Sequence, residues 1–130
     1  MSLFGRGRGG PARVTVREAA ACTEHGHTPT TSGASSLLLD VREAGEWQAG
    51  HAPGAVHLPL TALAAGAGLP AHAPKRPVIV ICRSGRRSLK AVELLRARGV
   101  EAVDVIGGMQ EWAAAGLPVV DALGGNGTVA

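Results

Sequence analysis

The sequence predicts an α/β domain, a doubly wound parallel sheet with helices on both faces. Three observations carry that expectation. The runs Leu37-Leu38-Leu39, Val78-Ile79-Val80-Ile81 and Ala102-Val103-Asp104-Val105-Ile106 are continuously apolar or nearly so, the pattern of strands covered on both sides rather than one. Segments with helical spacing follow them, the clearest running from Arg87 to Arg98 with Leu89, Ala91, Val92, Leu94 and Leu95 on its apolar stripe. Glycine and proline punctuate the junctions. Strand alternating with helix in this way gives a parallel sheet.

Taken in order, residues 1–12 are glycine-rich and cationic and read as a disordered tail. The domain is expected over 13–120 and a flexible tail over 121–130. Arg13-Val14-Thr15-Val16 alternates and predicts a short first strand, with a short helix over Arg17–Cys22. Residues 23–36 are turn formers and predict a loop. The run from Leu37 into Asp40-Val41-Arg42 predicts the next strand. Glu43–Ala49 reads as a short helix with Glu43 and Glu46 at its positive end and Gly50 as its stop. After the Pro53-Gly54 turn, Ala55–Leu58 predicts a strand and Leu60–Ala65 one or two helical turns. Residues 66–76 form a Gly/Pro-rich connection. Beyond the helix ending near Gly99, Ala102–Ile106 predicts a strand and Met109–Ala115 the last helix, stopped by Gly116 with Pro118 beyond.

Composition narrows the function. The chain of 130 residues is 45% apolar, enough for one core. At 2% aromatic, that core is aliphatic, and Trp47 and Trp112 read as packing. Net charge is +3 and the pI about 9.5. The excess sits in the N-terminal stretch (Arg6, Arg8, Arg13) and in the loop after Cys82, with no basic stripe interleaved with aromatics. Nucleic acid is therefore not an expected partner. No apolar run approaches a membrane span and no secretory leader is visible, so a cytoplasmic protein with no membrane contact is expected. Two cysteines, Cys22 and Cys82, do not make a disulfide framework. Cys22, His25 and His27 offer too few ligands at zinc spacing, so no metal is expected.

The chemistry concentrates at residues 77–99, PVIVICRSGRRSLKAVELLRARG. A thiol ends an apolar strand, where ligands gather in parallel sheets. A cationic loop and a helix start follow. Loop N–H groups, the helix dipole and the guanidinium groups of Arg83, Arg86 and Arg87 all favour the Cys82 thiolate. Gly85 permits the tight curl of backbone. Ser84 and Ser88 are hydrogen-bond donors, Ser88 also a candidate cap. Arg83, Ser84, Gly85, Arg86, Arg87 and Ser88 are thus the candidate substrate-binding set around Cys82. Asp40 and Arg42, at the end of another strand, are candidates to brace the loop, with a purely structural role as the alternative.

Three segments together resemble the single-domain rhodanese (thiosulfate sulfurtransferase) family: LLLDVREAGEWQAGHAPGAVHLPL at 37–60, VIVICRSGRRS at 78–88 and GGMQEWAAAGLPV at 107–119. The resemblance covers roughly residues 13–120. It implies a rhodanese-like five-stranded parallel sheet and a catalytic Cys82 that cycles between thiolate and persulfide. A small-molecule sulfur donor such as thiosulfate or a persulfide then supplies sulfur to cyanide or a thiol, including a thioredoxin-like protein acceptor, and no cofactor is needed. His51 falls at the family's Gly-His position and reads as a turn or core histidine. Two alternatives stand beside this. A cysteine phosphatase or arsenate reductase places five residues between Cys and Arg, whereas four separate Cys82 from Arg87, a smaller ring that suits sulfur. A non-catalytic rhodanese-like interaction module usually lacks the cysteine that is present here.

Overall fold

The computed structural model describes residues 13–23, 36–69 and 77–129. The expectations for the tail at 1–12, for most of the loop at 23–36, including His25 and His27, and for 70–76 lie outside the described residues.

Five strands, β1 (Arg13–Val14), β2 (Leu37–Asp40), β3 (Val56–His57), β4 (Val78–Ile81) and β5 (Ala102–Val105), form one sheet in the order β1-β5-β4-β2-β3. Every pairing is parallel. The helices are α1 (Val16–Cys22), α2 (Ala44–Ala49), α3 (Leu60–Ala64), α4 (Arg87–Ala97) and α5 (Gly108–Ala114). The two-residue alternation of the strands divides the core. Leu38, Ile79, Ile81, Val103 and Val105 pack with α1 and α5, while Leu37, Leu39, Val78, Val80 and Cys82 pack with α3 and α4. This is why the central strands show no polar face in the sequence: both sides are covered.

The predicted first strand is shorter than expected. Thr15 accepts the Glu18 N–H at 3.1 Å and the Glu18 carboxylate accepts the Thr15 N–H at 2.8 Å. This reciprocal capping box starts α1 at Val16, two residues after the strand ends. Gly50 ends α2 but not in a left-handed cap, since its φ is 175°. A Cβ there would collide with the Thr128 carbonyl and come within 2.7 Å of the Thr128 nitrogen, so glycine is needed for a close crossing of chains.

That crossing holds residues 121–129, the described part of the expected flexible tail, against the domain. Thr128 donates to the Ala49 carbonyl at 2.9 Å, and His51 and Val120 exchange backbone bonds of 2.8 and 2.9 Å. Asp121 folds a turn by accepting from the N–H groups of Leu123 and Gly125, and Val129 packs against the α1/α5 core. The segment closes over the C-terminal end of α2. Trp112 is fully buried and its indole N–H donates to the Pro118 carbonyl at 2.7 Å. Trp47 stacks on His51 at 3.5 Å and on His57 at 4.9 Å, with each histidine bonded to a backbone carbonyl. Both tryptophans therefore pack, as expected. No helix among the described residues is long and apolar enough to cross a membrane.

Candidate active site

Cys82 follows the last residue of β4 and is 1% exposed. Strand alternation turns it toward α4. The chain then curls through Arg83–Arg86 and enters α4 at Arg87. Gly85 makes the curl possible: its φ is +104°, and a Cβ would lie 3.3 Å from the Gly107 nitrogen. The curl returns the Gly85 N–H to the sulfur, at 3.0 Å. Ser88, on the first turn of α4 and fully buried, sets its Oγ 3.5 Å from Sγ.

Two opposing effects act on the thiol. Burial pushes its pKa up. The Ser88 hydroxyl and the backbone N–H groups of Ser88, Gly85 and Ser84 pull it down, and the balance leaves Cys82 more acidic than an ordinary cysteine. The donors gather around the sulfur on the α4 side, a compact cradle of the kind that oriented N–H groups build at a helix start and one suited to an anion.

The start of α5 locks the loop from behind. Met109 donates to the Cys82 carbonyl at 2.7 Å and Gln110 to the Arg83 carbonyl at 3.0 Å. The contact needs Gly108, with φ at +54°, because a Cβ would strike the Cys82 carbonyl and lie 2.7 Å from Arg83 backbone atoms.

The arginines divide. Arg83 and Arg86 are exposed on the loop. Arg87 instead grips Glu46 of α2 with a two-pronged ion pair of 2.6 and 2.8 Å. That bond holds the Glu46 carboxyl down at about 2 and raises the Arg87 guanidinium. Both terminal nitrogens of Arg87 bond Glu46, so this candidate substrate ligand also fixes the loop to α2.

Asp40 and Arg42, the candidates to brace the loop or to serve structure alone, make their bonds elsewhere. Arg42 is fully buried and bonds Asp40 at 2.8 to 3.2 Å and the Gly50 carbonyl at 2.6 Å. These bonds span the β2–α2 crossover and do not reach residues 83–88. Cys22 packs against the opposite face of the sheet from Cys82, and burial raises its thiol, so the two cysteines are not brought together.

Two residues that sequence reasoning passes over stand beside the loop. Asp104 of β5 is fully buried and accepts from Ser88 Oγ at 3.2 Å. Arg13 of β1 binds the same carboxylate at 2.9 to 3.2 Å and donates to the Gly85 carbonyl at 3.3 Å. The only hint in the sequence is a charge inside an apolar strand.

A family model, that of the rhodanese-like domain, matches residues 24–115. An adenylyltransferase and sulfurtransferase of Zea mays, MOCS3-1, is 36% identical over 107 residues, covering 78% of this chain. The chain spans only 21% of that protein's length. A putative sulfur carrier protein of Bacillus subtilis, YrkF, is 37% identical over 82 residues, or 62% of this chain and 43% of its own. Among solved structures, a rhodanese-like domain protein from Staphylococcus aureus superposes with a TM-score of 0.64 at 30% identity, covering 81% of this chain and 94% of its own. The sheet order, the cysteine loop at the end of β4 and these similarities agree: the chain belongs to the rhodanese-like domain family.

Proposed function

We propose that the protein is a sulfurtransferase that carries sulfur as a persulfide on Cys82. The observation that supports this most is the cradle itself: a buried, acidified thiol with the Gly85 N–H at 3.0 Å and the Ser88 hydroxyl at 3.5 Å. In the first step the Cys82 thiolate attacks the outer sulfur of a donor such as thiosulfate. A new S–S bond forms, the donor's S–S bond breaks, and sulfite leaves with the electron pair. The outer sulfur of the persulfide is again an anion and takes up the same N–H donors. An acceptor nucleophile then attacks that sulfur and releases the Cys82 thiolate.

Cyanide and low-molecular-weight thiols fit as acceptors. So does a protein thiol, in line with the sulfurtransferase and sulfur-carrier names of the relatives. Exposed Arg83 and Arg86 supply positive potential for an oxyanion donor. Ser84, Gly85 and Ser88 supply the donors to sulfur. The reaction requires no metal or organic cofactor.

Incubation with thiosulfate and cyanide tests the proposal. Thiocyanate is expected from the wild-type chain and none above background from Cys82→Ser. Hydrolysis of a phosphate ester with no thiocyanate would replace it with phosphatase chemistry, and inactivity toward every sulfur donor would favour a binding module.

A further inference from the structure

We propose that Arg13 and Asp104 are positioning residues that set the acidity of Cys82 by deciding where the Ser88 hydroxyl sends its proton. The proposal rests on the sulfur-transfer reading for its use in a cycle, but its test does not need a sulfur donor.

The sheet register creates the arrangement. Arg13 pairs with Asp104 across β1 and β5, and Asp104 pairs with Val80 across β5 and β4. Cys82 lies two residues beyond Val80, on the same face. Residues 91 apart in sequence are thereby placed in one row beside the sulfur. Ser88 bridges that row to the thiol, with Asp104 Oδ2 at 3.2 Å on one side and Cys82 Sγ at 3.5 Å on the other.

A hydroxyl has one proton to donate. With Cys82 as a thiol, S–H donates to Ser88 Oγ and Ser88 O–H donates to Asp104, an unbroken chain. When the thiol proton leaves to solvent, the sulfur becomes the stronger claimant. The Ser88 hydroxyl then rotates to it, and its proton stays on oxygen. Asp104 loses that bond, so its carboxylate competes with the thiolate for one donor. Arg13 softens the competition, because its Nε and Nη2 hold both carboxylate oxygens at 2.9 to 3.2 Å. It also ties down Gly85, whose N–H faces the sulfur. Once Cys82 carries an extra sulfur, Sγ is neutral and the hydroxyl can return to Asp104.

The other charged groups near the loop stand apart from the Ser88 hydroxyl's two partners, Cys82 and Asp104. Arg87 of α4 feels the Cys82 charge but is tied to Glu46 of α2. Arg83 and Arg86 are exposed. Asp40 of β2 is paired with Arg42. The contacts from α5 are backbone.

The test is the pH dependence of iodoacetamide alkylation at Cys82 in the full chain, read by mass spectrometry of the Cys82 peptide. Asp104→Asn removes the competing charge, and its amide can donate to Ser88 Oγ. Its alkylation midpoint is expected to fall by about one pH unit, roughly tenfold more thiolate below the midpoint. Arg13→Gln leaves Asp104 unopposed, and its midpoint is expected to rise by about as much. The Asp104→Asn shift is expected to shrink in a Ser88→Ala background. Arg13 has a side chain 37% exposed, so if Asp104→Asn does not fold, Arg13→Gln compared with and without Ser88→Ala decides the question: its rise is expected to shrink without Ser88, whereas the direct attraction between Arg13 and the Cys82 charge would leave it full-sized. A merely structural pair would lower stability in both variants and leave their midpoints together, which would overturn the proposal, as would a downward shift in Arg13→Gln or a full-sized Asp104→Asn shift without Ser88. Loss of thiocyanate formation in Cys82→Ser reports on the sulfur-transfer reading separately.

Discussion

Cys82 combines burial, which opposes ionisation, with a set of short-range donors that overcomes it. The thiol at a strand end and the glycine three residues later are visible in the sequence, so the candidate cysteine and its cradle are legible there. The roles of the charged residues are not. Arg87 looks like an anion ligand until Glu46, 41 residues away, takes its fork, and Arg13 looks like part of a basic tail until the register sets it against Asp104. Side-chain partners so far apart depend on topology rather than local pattern. The Glu46–Arg87 pair carries its own prediction. The Glu46 carboxyl is lowered from 4.5 to about 2, so the pair stabilises the fold above pH 4.5 and loses that contribution as pH falls through about 2. Glu46→Gln is expected to cost about 1 kcal/mol near neutrality, as a partly exposed pair does. Urea unfolding of both proteins from pH 7 downward should show the difference narrowing below pH 4.5; a difference independent of pH would assign the loss to packing instead.

Among the elements, the central strands are legible because a doubly covered parallel strand leaves a continuous apolar run, and β4 falls where that run predicts, at Val78–Ile81. The end of the first strand is harder to place by alternation, although Thr15 and Glu18 have the spacing of a capping box. The Gly107-Gly108 pair reads in sequence simply as the opening of a helix, whereas α5 rests its first turn directly on the Cys82 and Arg83 carbonyls. Gly108→Ala is therefore expected to cost about 3 kcal/mol, since it combines a positive φ with a backbone collision. It should also slow Cys82 alkylation by disturbing the loop. Denaturant unfolding and alkylation rates check both effects, and an unchanged midpoint of unfolding would contradict the clamp.

At the scale of the whole molecule, the sheet brings the Cys82 thiol after β4, an ion pair from β1 and β5, and a helix start from α4 together at the C-terminal end of its strands, while the chain after Val120 closes over the C-terminal end of α2. Composition could not foretell that closure, because a glycine-rich end reads the same whether it hangs free or threads past Gly50. We expect removal of residues 122–130 to lower the melting temperature by about 5 °C; unchanged melting would restore the loose tail. Whether Cys82 carries sulfur is decided by intact-mass and peptide mass spectrometry after treatment with thiosulfate. The chain is expected to gain one sulfur atom, located on Cys82 and discharged by cyanide. An unmodified chain, or sulfur carried on Cys22 alone, would contradict persulfide transfer at Cys82.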